Sequence, residues 1–175
     1  MKQIQMKKIC SVVLVLLVFG LAHASDATDV RNTVQSVFEQ LKSRDFAGVY
    51  EALPGSTRNR MSRDRFVNAL QRSQDFYQLD RIEIGATKVS GNLAVVDTVL
   101  YGRVVAPIEA DGKIVAQQYL VREEGKWRVA TGDQSTVKRF LAQNPGFGKN
   151  FKIRQPRVYV KQNNKWVEFN PGGRR

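Results

Sequence analysis

Beyond residue 24 the sequence contains neither cysteine nor histidine. The single cysteine is Cys10 and the single histidine is His23. Without these residues, the chain from position 25 onward cannot build a His or Cys zinc site, a thiolate nucleophile or a Ser-His-Asp triad. It also lacks the glycine-rich phosphate-binding motifs GxxxxGK[ST] and GxGxxG. We therefore predict no metal and no cofactor, and we favour a protein that is not an enzyme.

The first 24 residues have the pattern of a secretory signal peptide. Three lysines precede an apolar run over 9–21, and the A-x-A sequence Ala22-His23-Ala24 follows it. The run of 13 residues is shorter than the about 20 that a membrane-spanning helix needs. The pattern predicts a signal peptide over 1–24, cleaved after Ala24, and a periplasmic or secreted protein.

Positive charge is concentrated at the C-terminal end. The whole chain carries a formal net charge of +12. Residues 145–175 hold eight Lys and Arg against one acid, Glu168, whereas the chain from 25 to 144 is nearly neutral. The sequence Asn144-Pro145-Gly146-Phe147-Gly148 between them predicts a turn or linker, because Pro and Gly interrupt regular structure. We predict a domain over 25–132 and a basic extension over 133–175.

The first half of this domain has helical periodicity. Apolar residues recur at helical spacing from Val30 to Leu41, and Thr28 or Asp29 is placed to cap that helix. Asp45 is placed to cap a short second helix that Pro54-Gly55 ends. Ser62 is placed to cap a third.

From about residue 78 the apolar period becomes two, which indicates strands. The pattern predicts strands over 93–105, 114–121 and 126–130, and Asp111-Gly112 predicts a hairpin turn before the second of these. A last helix follows Ser135, and a small hairpin is predicted over 157–169. Helices followed by strands predict an α+β fold: N-terminal helices packed on a curved antiparallel sheet, with a C-terminal helix and a basic hairpin.

Four stretches carry a resemblance to a known family. They are residues 37–46, where Asp45-Phe46 opens the second helix, the helix over 62–70, the strand over 91–96, and residues 121–129 with Gly125-Lys126-Trp127. The chain resembles the nuclear transport factor 2-like (cystatin-like) superfamily over about 26–132, in particular its small exported bacterial members. The resemblance implies a cone-shaped body with a pocket between sheet and helices. Family members use it for catalysis, ligand binding, or dimer and partner contacts, so a homodimer is a further expectation.

Asp97 is the acid at the centre of a strand, and it has two interpretations. Tyr101 lies four residues on, and Tyr119 on the next strand is a neighbouring candidate. In the isomerases that the fold resembles, a carboxylate base works with a Tyr hydroxyl, and burial can raise the pKa of such a base. The favoured alternative is an Asp97 that forms an ion pair with Arg103 or Arg128, because buried charges are normally paired, or that simply faces water at a sheet edge.

Three other groups of residues are candidates for binding. Tyr50 is either a ligand contact or, as we favour, a core residue at helical spacing. Arginines before the third helix form either an anion site or a solvated surface: Arg58, Arg60, Arg63 and Arg65. Cations of the extension alternate with aromatic residues: Lys152, Arg154, Arg157, Lys161 and Lys165. This last set fits binding to an anionic envelope surface, or a hairpin that covers the sheet edge or the pocket while its charges remain solvated. Export argues against nucleic acid as a partner.

Three functions remain open from the sequence. The first is an exported bacterial, non-enzymatic domain that binds a small molecule or an envelope protein. The second is a proton-transfer enzyme of isomerase type that uses Asp97 with Tyr101 or Tyr119, and it requires an Asp97 with no arginine in reach. The third is binding of anionic cell-envelope polymer or lipid by the basic tail.

Overall fold

The structure is a computed structural model that describes residues 25–73, 77–105, 109–131 and 134–169. The predicted signal peptide and the last six residues lie outside the described residues. The elements in chain order are α1 (residues 25–42), α2 (Phe46–Glu51), α3 (Gly55–Arg58), α4 (Arg63–Ser73), β1 (Tyr77–Ser90), β2 (Leu93–Val104), β3 (Ala110–Glu123), β4 (Lys126–Ala130), α5 (Gln134–Gln143), α6 (Gly146–Asn150), β5 (Arg157–Gln162) and β6 (Lys165–Phe169).

Helix α1 is already helical at residue 25, so the predicted cap at Thr28 or Asp29 is wrong. The first turn of α1, which precedes the predicted cap, is held to the sheet by an ion pair between Asp26 and Arg122 of β3. The predicted apolar stripe is confirmed, because Val30 and Val34 are buried. The helix therefore gains its stability from packing on the sheet along that stripe.

The short helices begin largely where the sequence predicts. The Asp45 carboxylate accepts a hydrogen bond of 2.9 Å from the Gly48 amide, which confirms the cap of α2. The Ser62 hydroxyl accepts one of 3.4 Å from the Arg65 amide at the start of α4. After Pro54 the chain forms the single helical turn α3, where a loop was expected.

One antiparallel sheet contains all the described strands, in the order β1-β2-β3-β5-β6, with β4 also paired to β3. Strand β3 has β2 along one edge. Its other edge is shared, because residues 119–123 pair with β4 and residues 112–115 pair with β5. Residues 116–118 therefore have no described strand on that edge.

The predicted turn at Asp111-Gly112 is wrong, because both residues lie inside the β2–β3 ladder. Asp111 is opposite Arg103, and Gly112 is opposite Gly102. A Cβ on Gly102 would lie 2.5 Å from the carbonyl oxygen of Gln78 on β1. These glycines therefore belong to a closely packed part of the sheet. The strands are separated by residues 105–109, of which 106–108 lie outside the described residues.

The sheet is covered on both faces. The helix face packs against the N-terminal helices and carries Ala94, Val96 and Leu120. The tail face packs against α5 and α6 and carries Val95 and Tyr119. Successive residues of β2 point to opposite faces and both are buried, which accounts for the apolar character of the whole strand.

The C-terminal segment is part of this body. The prediction of a turn or linker at 144–148 is wrong. Gly146–Asn150 forms the short helix α6, and Phe147 is 1% exposed. Its ring lies 5.6 Å from the rings of both Tyr119 and Phe140, between centroids. Pro145 at the helix start supplies a fixed φ, and the buried ring anchors the turn.

The predicted hairpin over β5 and β6 is confirmed. Asn163 and Asn164 both have positive φ, the conformation that a tight two-residue hairpin turn requires. The prediction of an α+β fold with N-terminal helices, an antiparallel sheet and a C-terminal helix and hairpin is confirmed. None of the helices described is both long enough and apolar enough to cross a membrane.

We expect Phe147→Ala to destabilise the whole domain by about 3–5 kcal/mol, because it removes a fully buried ring from the tail face. The matched change is Phe169→Ala, at a side chain that is 52% exposed, and it should cost about 0.5 kcal/mol or less. Chemical denaturation followed by circular dichroism measures both. Equal losses in the two variants would contradict the assignment of Phe147 to the shared core.

Candidate functional site

A cavity of about 710 Å³ lies against the helix face of the sheet. It falls within the range of about 300–1,000 Å³ that is usual for small-molecule sites. Helix α1 contributes one side and strands β1 to β3 contribute the other. The apolar residues that line it include Val34, Val37, Phe38, Ile82, Leu100 and Ala116.

The cavity continues to the tail face through the unpaired edge of β3. Its lining also includes Tyr119, Leu141 and Ile153, which belong to the tail face or to the segment packed on it. The opening coincides with residues 116–118, where neither β4 nor β5 pairs with β3. A ligand in this space would therefore touch both layers of the protein.

Gln117 occupies this opening and joins four groups. Its side-chain amide donates to the Asp97 carboxylate and to the Lys152 carbonyl, each at 3.3 Å. Its side-chain oxygen accepts from the Arg154 amide at 2.8 Å and from the Tyr119 hydroxyl at 3.2 Å. We call Asp97, Gln117, Tyr119 and Arg154 the Gln117 cluster. It fixes the chain between α6 and β5 to the part of the β3 edge that pairs with none of the described strands.

Asp97 is paired, but its partner is Arg154 and not Arg103 or Arg128 as expected. Partial burial acts to raise its pKa, but hydrogen bonds from Arg154 and Gln117 outweigh burial, so the pKa of Asp97 lies below its usual value. The residue is not part of the cavity lining. The geometry that proton transfer requires, an Asp97 with no arginine in reach, is therefore not met.

The two tyrosines proposed beside Asp97 lie in different environments. The Tyr119 hydroxyl donates to Gln117, and burial raises the pKa of Tyr119, so the hydroxyl stays protonated. The Tyr101 hydroxyl donates to the Glu83 carboxylate at 3.2 Å, and the Arg81 guanidinium lies 3.6 Å from the Tyr101 ring centroid. Neither hydroxyl forms a hydrogen bond with Asp97, although both tyrosines contribute to the cavity lining.

Tyr50 does not line the cavity. Its hydroxyl donates to the carbonyls of Arg58 at 3.2 Å and Met61 at 2.9 Å, and its ring lies 5.7 Å from that of Phe66. Tyr50 therefore has the structural role that was favoured over a ligand contact: it packs against the core and holds the loop before α4 against α2.

The arginines before α4 lie on the surface. Arg58 forms an ion pair of 3.5 Å with Glu51. The other three arginines, Arg60, Arg63 and Arg65, are exposed and have no carboxylate within ion-pair distance in the described chain. An anion site here stays a prediction.

The basic residues of the tail are spread along it rather than gathered at one point. Arg154 is bound to Asp97, and Lys161 lies 3.6 Å from the Asp111 carboxylate. Lys152, Arg157 and Lys165 are exposed and have no described carboxylate partner. In the described chain, no three His, Cys, Asp or Glu residues are grouped so that they could hold a metal ion.

Gln117 and Gln118 are the site residues that the sequence analysis missed. Gln118 lies on the helix face, where its amide donates a 3.0 Å hydrogen bond to the buried hydroxyl of Thr98. Gln118 lines the cavity, and its side-chain oxygen has no described donor. The available signal was a pair of adjacent amide side chains inside the apolar run 114–121, because buried polar groups need a hydrogen-bond partner.

Comparisons with protein-family models and with curated proteins found no match. Among solved structures, the chain is similar to a SEC-C motif containing protein from Rhodopseudomonas palustris, with 13% identity and a TM-score of 0.47 over 58% of this chain and 74% of that one. It is also similar to an M. tuberculosis LEH-like epoxide hydrolase, with 16% identity and a TM-score of 0.40 over 71% of this chain and 97% of that one.

We expect Asp97 to increase the free energy of unfolding at neutral pH and to lose this contribution at acid pH. Its pKa is lower in the folded protein, so its carboxylate stabilises the fold above the unfolded-state value of about 3.9 and loses that contribution as the pH falls through the folded-state pKa. The stability difference between wild type and Asp97→Asn should be constant from about pH 7 to about pH 5 and shrink below about pH 4.

A double-mutant cycle with Arg154→Gln identifies the partner. Because the pair is partly exposed, we expect a coupling of about 0.5–1 kcal/mol at neutral pH. Stability curves of the four proteins, from urea titrations at each pH, give this value. A difference that does not change between about pH 5 and about pH 3 would contradict the assigned ion pair.

Proposed function

We propose that the protein is a non-enzymatic binding protein for a small, mainly apolar molecule, held in the cavity between α1 and the sheet. The observation that supports this proposal is the cavity itself, about 710 Å³ of space bordered mainly by aliphatic and aromatic side chains. The signal-peptide pattern of residues 1–24 supports a place in the bacterial cell envelope.

Burial of apolar ligand surface supplies the binding energy of such a site. Each Å² of apolar surface removed from water contributes about 25 cal/mol, before the cost of immobilising the ligand. The aromatic and aliphatic residues of α1 that line the cavity are themselves held by the core, since Val34, Val37 and Phe38 are buried. The site is therefore largely formed before a ligand arrives, which reduces the ordering cost.

One hydrogen-bond acceptor selects among apolar ligands. The Gln118 amide donates to Thr98, which fixes the orientation of the side chain and leaves its oxygen for the ligand. We infer that the ligand carries a hydroxyl or N–H group toward this oxygen. A site built to accept such a hydrogen bond discriminates against a ligand that lacks the donor.

The environment of Asp97, the carboxylate that the sequence favours for proton transfer, fits a binding function better than catalysis. Asp97 is held by Arg154 outside the cavity lining, and its pKa is lowered. A general base is most effective with a pKa near the working pH. Glu83 is likewise paired with Arg81, and hydrogen bonds from Arg81 and Tyr101 lower its pKa.

We expect Ala116→Leu to weaken ligand binding about tenfold or more, because the larger side chain occupies space that the ligand needs. The probe is N-phenyl-1-naphthylamine, a neutral apolar dye that fluoresces when it leaves water. The matched control is Ala86→Leu, at an exposed position of β1 that does not line the cavity, and it should bind the dye as wild type does.

Native mass spectrometry of the purified protein complements the titration by detecting a retained small molecule. The proposal would be wrong if wild type neither bound the dye nor carried a molecule. It would also be wrong if both leucine variants bound the dye as tightly as wild type, because the dye would then lie elsewhere.

We expect Gln118→Leu to remove a preference between ligands of similar size. Wild type should bind 1-decanol about two- to tenfold more tightly than decyl methyl ether, which has no hydroxyl donor, and the variant should bind both alike. Displacement of the dye measures both affinities. The control is Gln78→Leu, which is exposed and outside the cavity lining. A preference that survived in Gln118→Leu would overturn the assigned role of Gln118.

A further inference from the structure

An apolar surface lies on the helix face at the open end of the sheet. Ile114 is opposite Val158, and Val158 is opposite Phe169, so these residues form one row across β3, β5 and β6. Val167 lies in the next row, opposite Val160. We call Ile114, Val158, Val167 and Phe169 the hairpin patch. Each of its side chains is at least 36% exposed, so the patch presents unburied hydrocarbon to its surroundings.

The other side of the same hairpin carries an exposed aromatic residue among cations. Trp166 is 37% exposed, and the Lys113 ammonium lies 4.7 Å from its ring centroid. Lys113 and Arg157 lie on this side, whereas Lys165 lies on the side of Val167. None of these three cations has a carboxylate within ion-pair distance in the described chain. Because β6 is the edge strand of the sheet, a partner that approaches this edge meets the apolar patch, the indole and the cations together.

The charge of this segment favours one kind of partner. Residues 145–175 contain eight Lys and Arg and one Glu. A second copy of the chain would bring the same cations face to face, which is unfavourable. An anionic lipid surface attracts them and also offers an apolar interior to Val167 and Phe169. Tryptophan is favoured at the boundary between these two regions.

We propose that the β5–β6 hairpin docks onto the surface of a bilayer that contains anionic phospholipid. The hairpin patch enters the boundary between headgroups and acyl chains, Trp166 lies at that boundary, and Arg157 and Lys165 pair with lipid phosphates. The free backbone groups of β6 remain among hydrated headgroups, where they can form hydrogen bonds. This docking does not depend on the cavity being occupied, so it goes beyond the proposed function.

The first test measures binding of the protein to vesicles by flotation. The protein is produced with its own N-terminal segment, so residues 1–24 are treated identically in every variant. Vesicles of phosphatidylglycerol and phosphatidylethanolamine are compared with vesicles of phosphatidylcholine alone. We expect binding to the anionic vesicles that weakens as salt increases, and weak binding to the neutral ones.

Three variants, one of them a control, identify the surface. Val167→Ser with Phe169→Ser should weaken binding about tenfold or more, because apolar contacts are lost. Lys165→Glu should weaken it about fivefold or more, because one cation is replaced by an anion at the membrane. The matched charge control is Lys126→Glu, in the β3–β4 turn region roughly 30 Å away along β3. It should bind as wild type does.

A positional readout uses the two tryptophans of the chain. Lipids with brominated acyl chains quench an indole that lies at the bilayer, so they should quench Trp166 and spare the buried Trp127. The fluorescence of Trp166→Phe should therefore resist quenching while its vesicle binding is largely kept. This readout separates the hairpin from residues 1–24 as the segment in contact with lipid.

Three results would overturn the proposal. The first is wild-type binding that is equal on neutral and anionic vesicles. The second is an equal loss of binding in Lys165→Glu and Lys126→Glu, which would indicate a response to overall charge alone. The third is a dimer in light scattering that Val167→Ser with Phe169→Ser dissociates, because the patch would then be an interface between two copies.

Discussion

The unequal lengths of β3 and β4 constrain the rest of the molecule. Strand β3 runs for 14 residues, whereas β4 runs for 5 and covers only one end of its edge. An uncovered strand edge leaves backbone donors and acceptors open to pairing with other chains. The C-terminal segment closes most of this edge, because β5 pairs with residues 112–115. The remaining stretch, residues 116–118, has no partner on this edge among the described strands, and the Gln117 side chain supplies hydrogen bonds there instead.

This arrangement explains why the basic C-terminal segment is built into the fold. Helix α5 and helix α6 cover the tail face through Phe140 and Phe147, and the Asp97–Arg154 pair follows where the chain turns toward β5. The same route leaves an opening in the sheet beside Gln117, and the cavity extends through it. Sheet closure and cavity shape thus have one structural origin, so a change that displaces the tail would alter both.

Local patterns were sufficient to predict most of the fold. Several local features depend only on neighbouring residues, and the structure contains each of them. They are the helix caps Asp45 and Ser62, the alternation of buried and exposed residues along β4, and the asparagine turn of the last hairpin. The partner of Asp97 could not be predicted in this way. Arg154 is 57 residues away, and the two meet only because β5 returns to β3. Asp111-Gly112 was wrongly predicted to be a turn. The local sequence does not distinguish a glycine that permits close packing of strands from a glycine that forms a turn.

The cavity and the hairpin patch share residues, which relates the two proposals physically. Ile114 and Val158 line the cavity and are also partly exposed in the patch. Apolar surface is therefore continuous from the inside of the cavity to the edge that would meet a bilayer. An apolar molecule that moves along this surface avoids the cost of entering water, which grows with its exposed hydrocarbon area. Strand β3 thus joins the cavity to the edge that we propose meets a bilayer, and a lipid-derived ligand would be compatible with both proposals.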